Sequence, residues 1–316
     1  RGCVIGYDIN EKGCQISYYD DSMEEPDTMM ASSNNYLIPL VLGYFKDRWV
    51  FGKEAKRLAV VGEDCTETDL YGKAKRREKV SLAGKTYDAV WLLAKYISLT
   101  LQDFENIQYL TFTTPETDVD MAKMLKGIGQ HIGVDKEIIN VQDYKESFCQ
   151  YMIFQPKELW QYESALFYCD EDRIKAYMLR RLRVDASHGM NSFVTVDEVA
   201  NAQRKELEAL YPIMNKEKSP DESFKSMIEN VFEKKVISSV YLTGEGFEKN
   251  WYPNSLRVLC NGRRAFMGNN LYSKGACYKS IRKCEPNDDG PIYLDETKLT
   301  ERICLRMRVD GQEGWY

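Results

Sequence analysis

His131 and His188 are the only imidazoles in a chain of 316 residues, and neither has a ligand or nucleophile partner close to it in sequence. A zinc centre and a histidine-dependent hydrolytic site are therefore not expected. No haem or flavin signature is present either. No apolar run approaches about 18 residues, so no segment is expected to span a bilayer as a helix. Positive charge is in deficit, with 43 Lys and Arg against 49 Asp and Glu for a net charge of −6. That balance argues against a general nucleic-acid or anionic-membrane surface. The nine cysteines contain no Cys-x-x-Cys pair, and several (Cys3, Cys149, Cys169, Cys260) sit inside apolar runs. An odd count with no sequon points to free thiols in a reducing cytoplasm, with cysteine acting as a small buried hydrophobe. Arg1 to Gly6 lack the charged-then-apolar order of a signal peptide. With no initiator Met, the chain is expected to have been trimmed at its start.

What is present is ordinary for a globular protein: 43% hydrophobic and 29% charged residues. This length suits two packed lobes better than one. The stretch Ser238-Ser239-Val240-Tyr241-Leu242-Thr243-Gly244-Glu245-Gly246-Phe247 organises the rest. A buried strand delivers a glycine turn to a helix start, where free N–H groups and the helix dipole favour an anion. By itself Gly-x-Gly after a strand serves a plain tight turn as readily as a phosphate.

Gly2–Asp8 and Cys14–Tyr19 read as a β-hairpin around Glu11-Lys12-Gly13. Tyr36–Phe45 and Arg48–Gly52 are extended, and Lys53–Lys56 turns helical. Val61–Lys85 is a charged excursion; Tyr87–Leu101 carries apolar residues at helical spacing. Asn106–Phe112 is a strand, after which Thr114 is expected to cap a helix running to Ile132. Ile138–Val141 is a strand and Tyr144–Phe154 a helix. The order then restarts: strands at Ser164–Cys169 and Ile174–Leu182, a looser one within Val184–Val196, and helices at Asp197–Leu210 and Glu222–Lys234. After the glycine-turn strand, Leu271–Lys283 is a last helix. Strands followed by helix–strand–helix thus occur twice, which predicts parallel pairing with right-handed crossovers. Beyond Cys284, Pro286–Pro291 reads as a linker. Ile292–Leu294 and Arg302–Val309 are strands, with Asp310-Gly311 as a turn; so short a piece must pack on a lobe or begin a longer β-domain.

In that order the motifs resemble the actin, heat-shock-chaperone and sugar-kinase ATPase superfamily from Val4 to about Ser280. Val4-Ile5-Gly6-Tyr7-Asp8 is similar to its first phosphate strand. Ile38-Pro39-Leu40-Val41 with Phe51-Gly52-Lys53-Glu54-Ala55 resembles the chaperone Pro-Ser-x-Val and Gly-x-x-Ala segments. Leu110–Pro115 is similar to the Thr-Val-Pro strand, and Val141-Gln142-Asp143-Tyr144 to the linker after it. Val240–Gly246 resembles the adenosine motif, and Ser273-Lys274-Gly275-Ala276-Cys277 the helix that follows. Gly-Glu-Gly-Phe (244–247) and Lys-Gly-Ala-Cys (274–277) are similar to a bacterial branch with degenerate phosphate motifs.

The resemblance implies a duplicated ribonuclease-H-like α/β fold: lobe I at 1–160 with an insertion near 40–85, lobe II at 161–284 with a helical insertion near 200–235, and a β-rich segment from 285 to 316. It implies ATP or ADP with Mg²⁺ in the cleft between the lobes. Asp8 and Asp170 would hold the ion through waters, and Gln142 or Asp143 would orient the attacking water. Asn10, Lys12, Gly244, Glu245, Gly246, Lys274 and Gly275 would meet the nucleotide. The departures are as telling. The first phosphate turn, Ile9-Asn10-Glu11-Lys12-Gly13, has no hydroxyl, and the second, Asp170-Glu171-Asp172-Arg173, has no glycine. Side chains with Cβ keep backbone away from phosphates, and clustered carboxylates repel them unless Mg²⁺ bridges. The reading this favours is a cytoplasmic protein with weak or lost nucleotide chemistry that works through a protein partner. A working Mg-ATPase is the alternative, and a sugar or acyl-phosphate kinase a distant third. Asn261-Gly262-Arg263-Arg264 is left as either a surface turn or an arginine pair gripping a base or phosphate.

Overall fold

A computed structural model describes residues 2–33, 35–62, 65–182, 192–203, 219–285 and 290–295, together with the backbone of 306–309 and 312–315. The first hairpin is β1 (Cys3–Ile9) and β2 (Gly13–Tyr19), with Asp8 opposite Gln15. β1 is buried from Val4 to Ile9, as its near-continuous apolar run requires of a central strand. β3 (Asp27–Thr28) and β4 (Ile38–Pro39) both pair with β2. The segment from Leu42 through the charged excursion has secondary structure of its own. It contains β5 (Leu42–Phe45), β6 (Arg48–Phe51), α1 (Gly52–Val61), β7 (Thr66–Glu67), α2 (Leu70–Lys75) and the hairpin β8 (Lys79–Leu82) to β9 (Lys85–Asp88). α3 (Ala89–Thr100) follows, with Asp88 accepting from the Val90 N–H as its cap.

β10 (Ile107–Thr114) lies parallel to β1, α4 (Val119–His131) crosses over, and β11 (Ile139–Asp143) lies parallel to β10. α5 (Tyr144–Ile153) begins directly at Asp143. The second half supplies β12 (Glu163–Cys169), β13 (Arg173–Leu182), β14 (Phe193–Gln203), α6 (Pro220–Phe232), β15 (Ile237–Thr243), α7 (Pro253–Leu259), β16 (Arg264–Met267), α8 (Leu271–Cys284) and β17 (Ile292–Tyr293). β18 (Arg306–Val309) and β19 (Gln312–Trp315) form a separate hairpin.

The chain is therefore a mixed α/β protein with one strand order used twice. β11-β10-β1-β2-β3 and β16-β15-β12-β13-β14 are each a hairpin extended by an antiparallel strand on one side and two parallel strands on the other. β4 also pairs with β2 in the first sheet, and β17 adds to β14 at the edge of the second. One apolar cluster packs around β1, α3 and α4, a second around β12 and α6. A third joins α5 and α8 to the opposite face of the second sheet. α8 lies against β1 and β10 as well as α5, and Ser280 Oγ donates to Ile5 O at 2.9 Å. No helix among the described residues is long and apolar enough to cross a membrane.

Several expectations are corrected. The helix after β10 starts at Val119, capped by Asp118 through the Met121 N–H at 2.7 Å, not by Thr114. Thr114 is fully buried at the end of β10, and its hydroxyl is taken up by Glu116 O and Thr117. The helix read at Asp197–Leu210 is strand to Gln203, because Val194 and Val196 alternate inward and Met178 and Leu179 of β13 draw the segment into the sheet. The remainder of that helix and the first part of the looser strand, at 184–191, lie outside the described residues. So do the linker at 286–289, the turn at 310–311 and the side chains of the tail strands.

α6 and α7 illustrate how one carboxylate can hold two helices together. Buried Asp221 accepts from the Asn254 and Ser255 N–H groups, each at 2.8 Å, and from Ser255 Oγ at 2.7 Å. Asp221→Ala would strand those donors, so a loss of about 2–3 kcal/mol is expected. Chemical denaturation followed by tryptophan fluorescence would measure it, since Trp251 packs on Phe224 of α6.

Candidate functional site

The first hairpin turn and the β15 turn face a cavity of about 270 Å³. Asp8, Asn10 and Lys12 line it from the first hairpin, and Gly244 and Glu245 from the turn after β15. These five sequence candidates are brought together. Gln15, Tyr36, Tyr144, Tyr168, Glu248 and Tyr272 also line it.

Asp8 sits at the floor, 4% exposed. Burial removes the water that would solvate its charge and pushes its pKa from 3.8 to about 7, against the hydrogen bond from Tyr144. That phenol donates to Asp8 Oδ1 at 2.7 Å and accepts from Asn10 Nδ2 at 2.9 Å. The Tyr144 ring stacks on Tyr272 with centroids 3.8 Å apart and planes 7° from parallel. One ring comes from α5 and the other from α8, so the stack ties the two helices together over the carboxyl. Burial, then the charge of Asp8, pushes the Tyr144 hydroxyl well up, so it stays a donor at any ordinary pH. At the mouth, Lys12 pairs with Glu245. Burial opposes the Lys12 charge, but the hydrogen bond and charge of Glu245, then Asp170 and Glu171, raise its pKa. With both side chains nearly half exposed, such a pair is worth less than about 1 kcal/mol.

The remaining candidates have other surroundings. Asp170 closes its own turn: Oδ1 accepts from the Asp172 and Arg173 N–H groups, each at 2.8 Å. Asn10 does the same in the first hairpin, its Oδ1 accepting from the Lys12 N–H at 2.9 Å and the Gly13 N–H at 3.3 Å. The Gly244 N–H donates to Asn269 Oδ1 at 3.0 Å. A Cβ on Gly244 would lie 2.1 Å from Cys169 O, and one on Gly246 2.4 Å from Cys169 Sγ. The glycines let the β15 turn close onto the end of β12. Gln142 is buried, giving Nε2 to Ser147 Oγ at 2.7 Å while Oε1 has no partner. Asp143 caps α5 through the Glu146 N–H at 2.8 Å, and burial raises its pKa. Lys274 Nζ lies 4.0 Å from Glu25, and Gly275 meets the α5 backbone at Ser147. Arg263 is also occupied, its guanidinium 4.8 Å from the Phe232 ring and donating to Val258 O.

The residues do not fit a Mg²⁺-triphosphate. In each hairpin turn two N–H groups, of Lys12 and Gly13 and of Asp172 and Arg173, are already taken by the turn's own side chain. Asp8 lies under a phenol and holds its proton to about pH 7. No group of three or more His, Cys, Asp or Glu among the described residues could hold a metal ion. Tyr144 and Tyr272 were not foreseen as site residues. They lie far apart in sequence, and among 21 tyrosines nothing distinguishes them.

The profile of a family of unknown function, DUF5716 C-terminal, matches residues 25–296. The chain belongs to this family. Within the DUF5716 C-terminal match fall Tyr144, Tyr272, Gly244 and Glu245. The first hairpin, with Asp8, Asn10 and Lys12, precedes it. No curated protein matches the chain.

Proposed function

We propose that this DUF5716 C-terminal protein has a two-lobed, actin-like arrangement of duplicated ribonuclease-H-like sheets whose phosphate machinery has been converted into a structural joint, and that it acts by binding a protein partner rather than by hydrolysing ATP. The twofold use of one strand order and the α5–α8 contact support the architecture. The observation that carries the loss of hydrolysis is the self-closure of both hairpin turns by Asn10 and Asp170. A phosphate would have to displace two internal hydrogen bonds in each turn, and would meet Asp170, Glu171 and Glu245 as well as the cations Lys12 and Arg173. Partner binding is supported by α1, where Val60 and Val61 are 83% and 77% exposed beside Lys53, Lys56 and Arg57. Adjacent exposed valines among cations suit an acidic, apolar partner surface. The described cysteines are free thiols, as a cytoplasmic protein would carry.

Calorimetric titration with ATP and Mg²⁺ tests the reading. No saturable heat is expected up to about 1 mM, the affinity of a contact worth about 4 kcal/mol. Tight binding that is lost in both Asp8→Ala and Gly244→Val would establish the ATPase alternative instead.

A further inference from the structure

We infer that the groove between α3 and α4 seats an acidic amphipathic helix of a partner protein, its apolar face laid over Trp91 and Gly127 and its carboxylates toward Arg77, Lys123 and His131. The inference rests on the reading that the protein works through a partner; it adds a second face to that of α1 and names the partner's chemistry. The groove holds about 350 Å³. Ala94 of α3 and Met124 and Ile128 of α4 close its floor and are almost fully buried. Trp91 forms a wall, 38% exposed, and stacks on Tyr87 with centroids 5.4 Å apart and planes 14° from parallel. A part-exposed indole fixed by its neighbours is the side-chain type that most often anchors a protein contact.

Gly127 points to the kind of occupant. Glycine is unfavourable inside a helix, and the other glycines inside described α-helices each have a neighbour that excludes a side chain. A Cβ on Gly72 would strike the Asp69 carboxylate, one on Gly129 the Ile139 side chain, and one on Gly275 the Ser147 backbone of α5. At Gly127 no described atom lies within 4 Å of the Cβ position. Gly275 shows what such a residue does in this fold: it lets a second helix come to backbone contact. Gly127 offers the same approach on an exposed face, with no described helix of this chain on it. The rim sets the sign of the charge. Arg77, Lys123 and His131 line it, and none is ion-paired with a described carboxylate. The one carboxylate of the lining, Asp88, already accepts from the Val90 N–H at 2.9 Å and from Lys79 Nζ at 3.3 Å. Complementarity therefore calls for carboxylates beside an apolar stripe, which a helix presents at i, i+3, i+4 and i+7.

The test is fluorescence anisotropy of a fluorescein-labelled peptide of about 18 residues, long enough to form a helix, titrated with the full chain at low salt. It is built of Glu, Ala and Leu, with the leucines at helical spacing, and a version with Lys in place of Glu is run beside it. Saturable binding is expected for the acidic peptide, at least about tenfold tighter than for the basic one. Gly127→Leu fills the approach and is expected to weaken the acidic peptide about tenfold or more without lowering the unfolding midpoint. Lys123→Glu should weaken it about threefold, the scale of one exposed ion pair. No saturable binding of the acidic peptide, or an affinity unchanged in Gly127→Leu, overturns the inference. Binding lost in Lys56→Glu with Arg57→Glu but kept in Gly127→Leu leaves the partner reading standing at α1 and removes this one. A concentration-dependent dimer in sedimentation that Gly127→Leu abolishes would put a second copy of the chain on the groove, and would likewise overturn the partner helix.

Discussion

Asp8→Asn is expected to stabilise the protein at pH 8 and to lose much of that advantage at pH 5. The reason is linkage. The folded-state pKa of Asp8 is about 7 against an ordinary 3.8, so the native state holds a proton that the unfolded chain has released. Stability from that proton is complete below the unfolded value, falls as pH rises, and is gone above pH 7. The full span corresponds to about 4 kcal/mol, at about 1.4 kcal/mol per tenfold change in proton affinity. Between pH 8 and pH 5 the gap between Asp8→Asn and the parent should close by about 2–3 kcal/mol. An asparagine is uncharged throughout, and its Oδ1 can still accept from Tyr144. Comparing the two proteins at each pH cancels every other titrating group. Denaturant midpoints at the two pH values measure the gap, and a gap independent of pH would mean that Asp8 is solvated and ionised like a surface carboxylate.

The two hairpins and the inner parallel strands were legible because their signals are local, whereas the edge strands β3 and β16 were not. Each hairpin joins a buried apolar run to an alternating one across a polar turn, and each crossover helix carries apolar residues at helical spacing. The errors came where local and tertiary preferences diverge. The segment after Val196 reads as helix by composition, but its pairing with β13 lays Val199, Ala200 and Ala202 against the second apolar cluster. Thr114 is a sound cap by type, yet β10 holds it in register with Asp143 of β11, and Asp118 takes the role four residues later.

The cleft was legible in outline through the order of its turns, which places Asp8, Asn10, Lys12, Gly244 and Glu245 on one cavity. What closes it was not. The Tyr144–Tyr272 stack joins two helices whose contact depends on the packing of both sheets, and no periodicity within either helix reports it. The self-closure of the turns is a nearer case. An Asn or Asp at the head of a tight turn commonly accepts from N–H groups two and three residues on. Asn10 and Asp170 stand at that position in Ile9–Gly13 and in Asp170–Arg173, so the sequence carried a sign of this function beside the missing glycine and hydroxyl.

The second large effect is expected at Gly275, where α8 meets α5 without a side chain between them. A Cβ there would lie 2.0 Å from Ser147 O and 2.7 Å from its carbonyl carbon, both backbone atoms that no rotamer change can move. On its other side α8 is pressed equally close to β1, since a Cβ on Gly6 would lie 2.2 Å from Cys277 N. The helix has no slack in either direction. Replacing glycine inside a helix by alanine normally gains about 1 kcal/mol, but overpacking against fixed backbone costs about 1–3 kcal/mol or more. The clash should win, so Gly275→Ala is expected to destabilise and Gly275→Val to cost at least about 3 kcal/mol. Gly127 of α4 is the control, because nothing lies within 4 Å of its Cβ position. Gly127→Ala should show the propensity gain alone, a stabilisation of up to about 1 kcal/mol. Opposite signs in the denaturation midpoints of the two alanine variants would mark α8 as the wedge that holds Tyr272 over Tyr144. Stabilisation by both would mean that α5 and α8 stand apart, and the joint that closes the cleft would then have to be sought elsewhere.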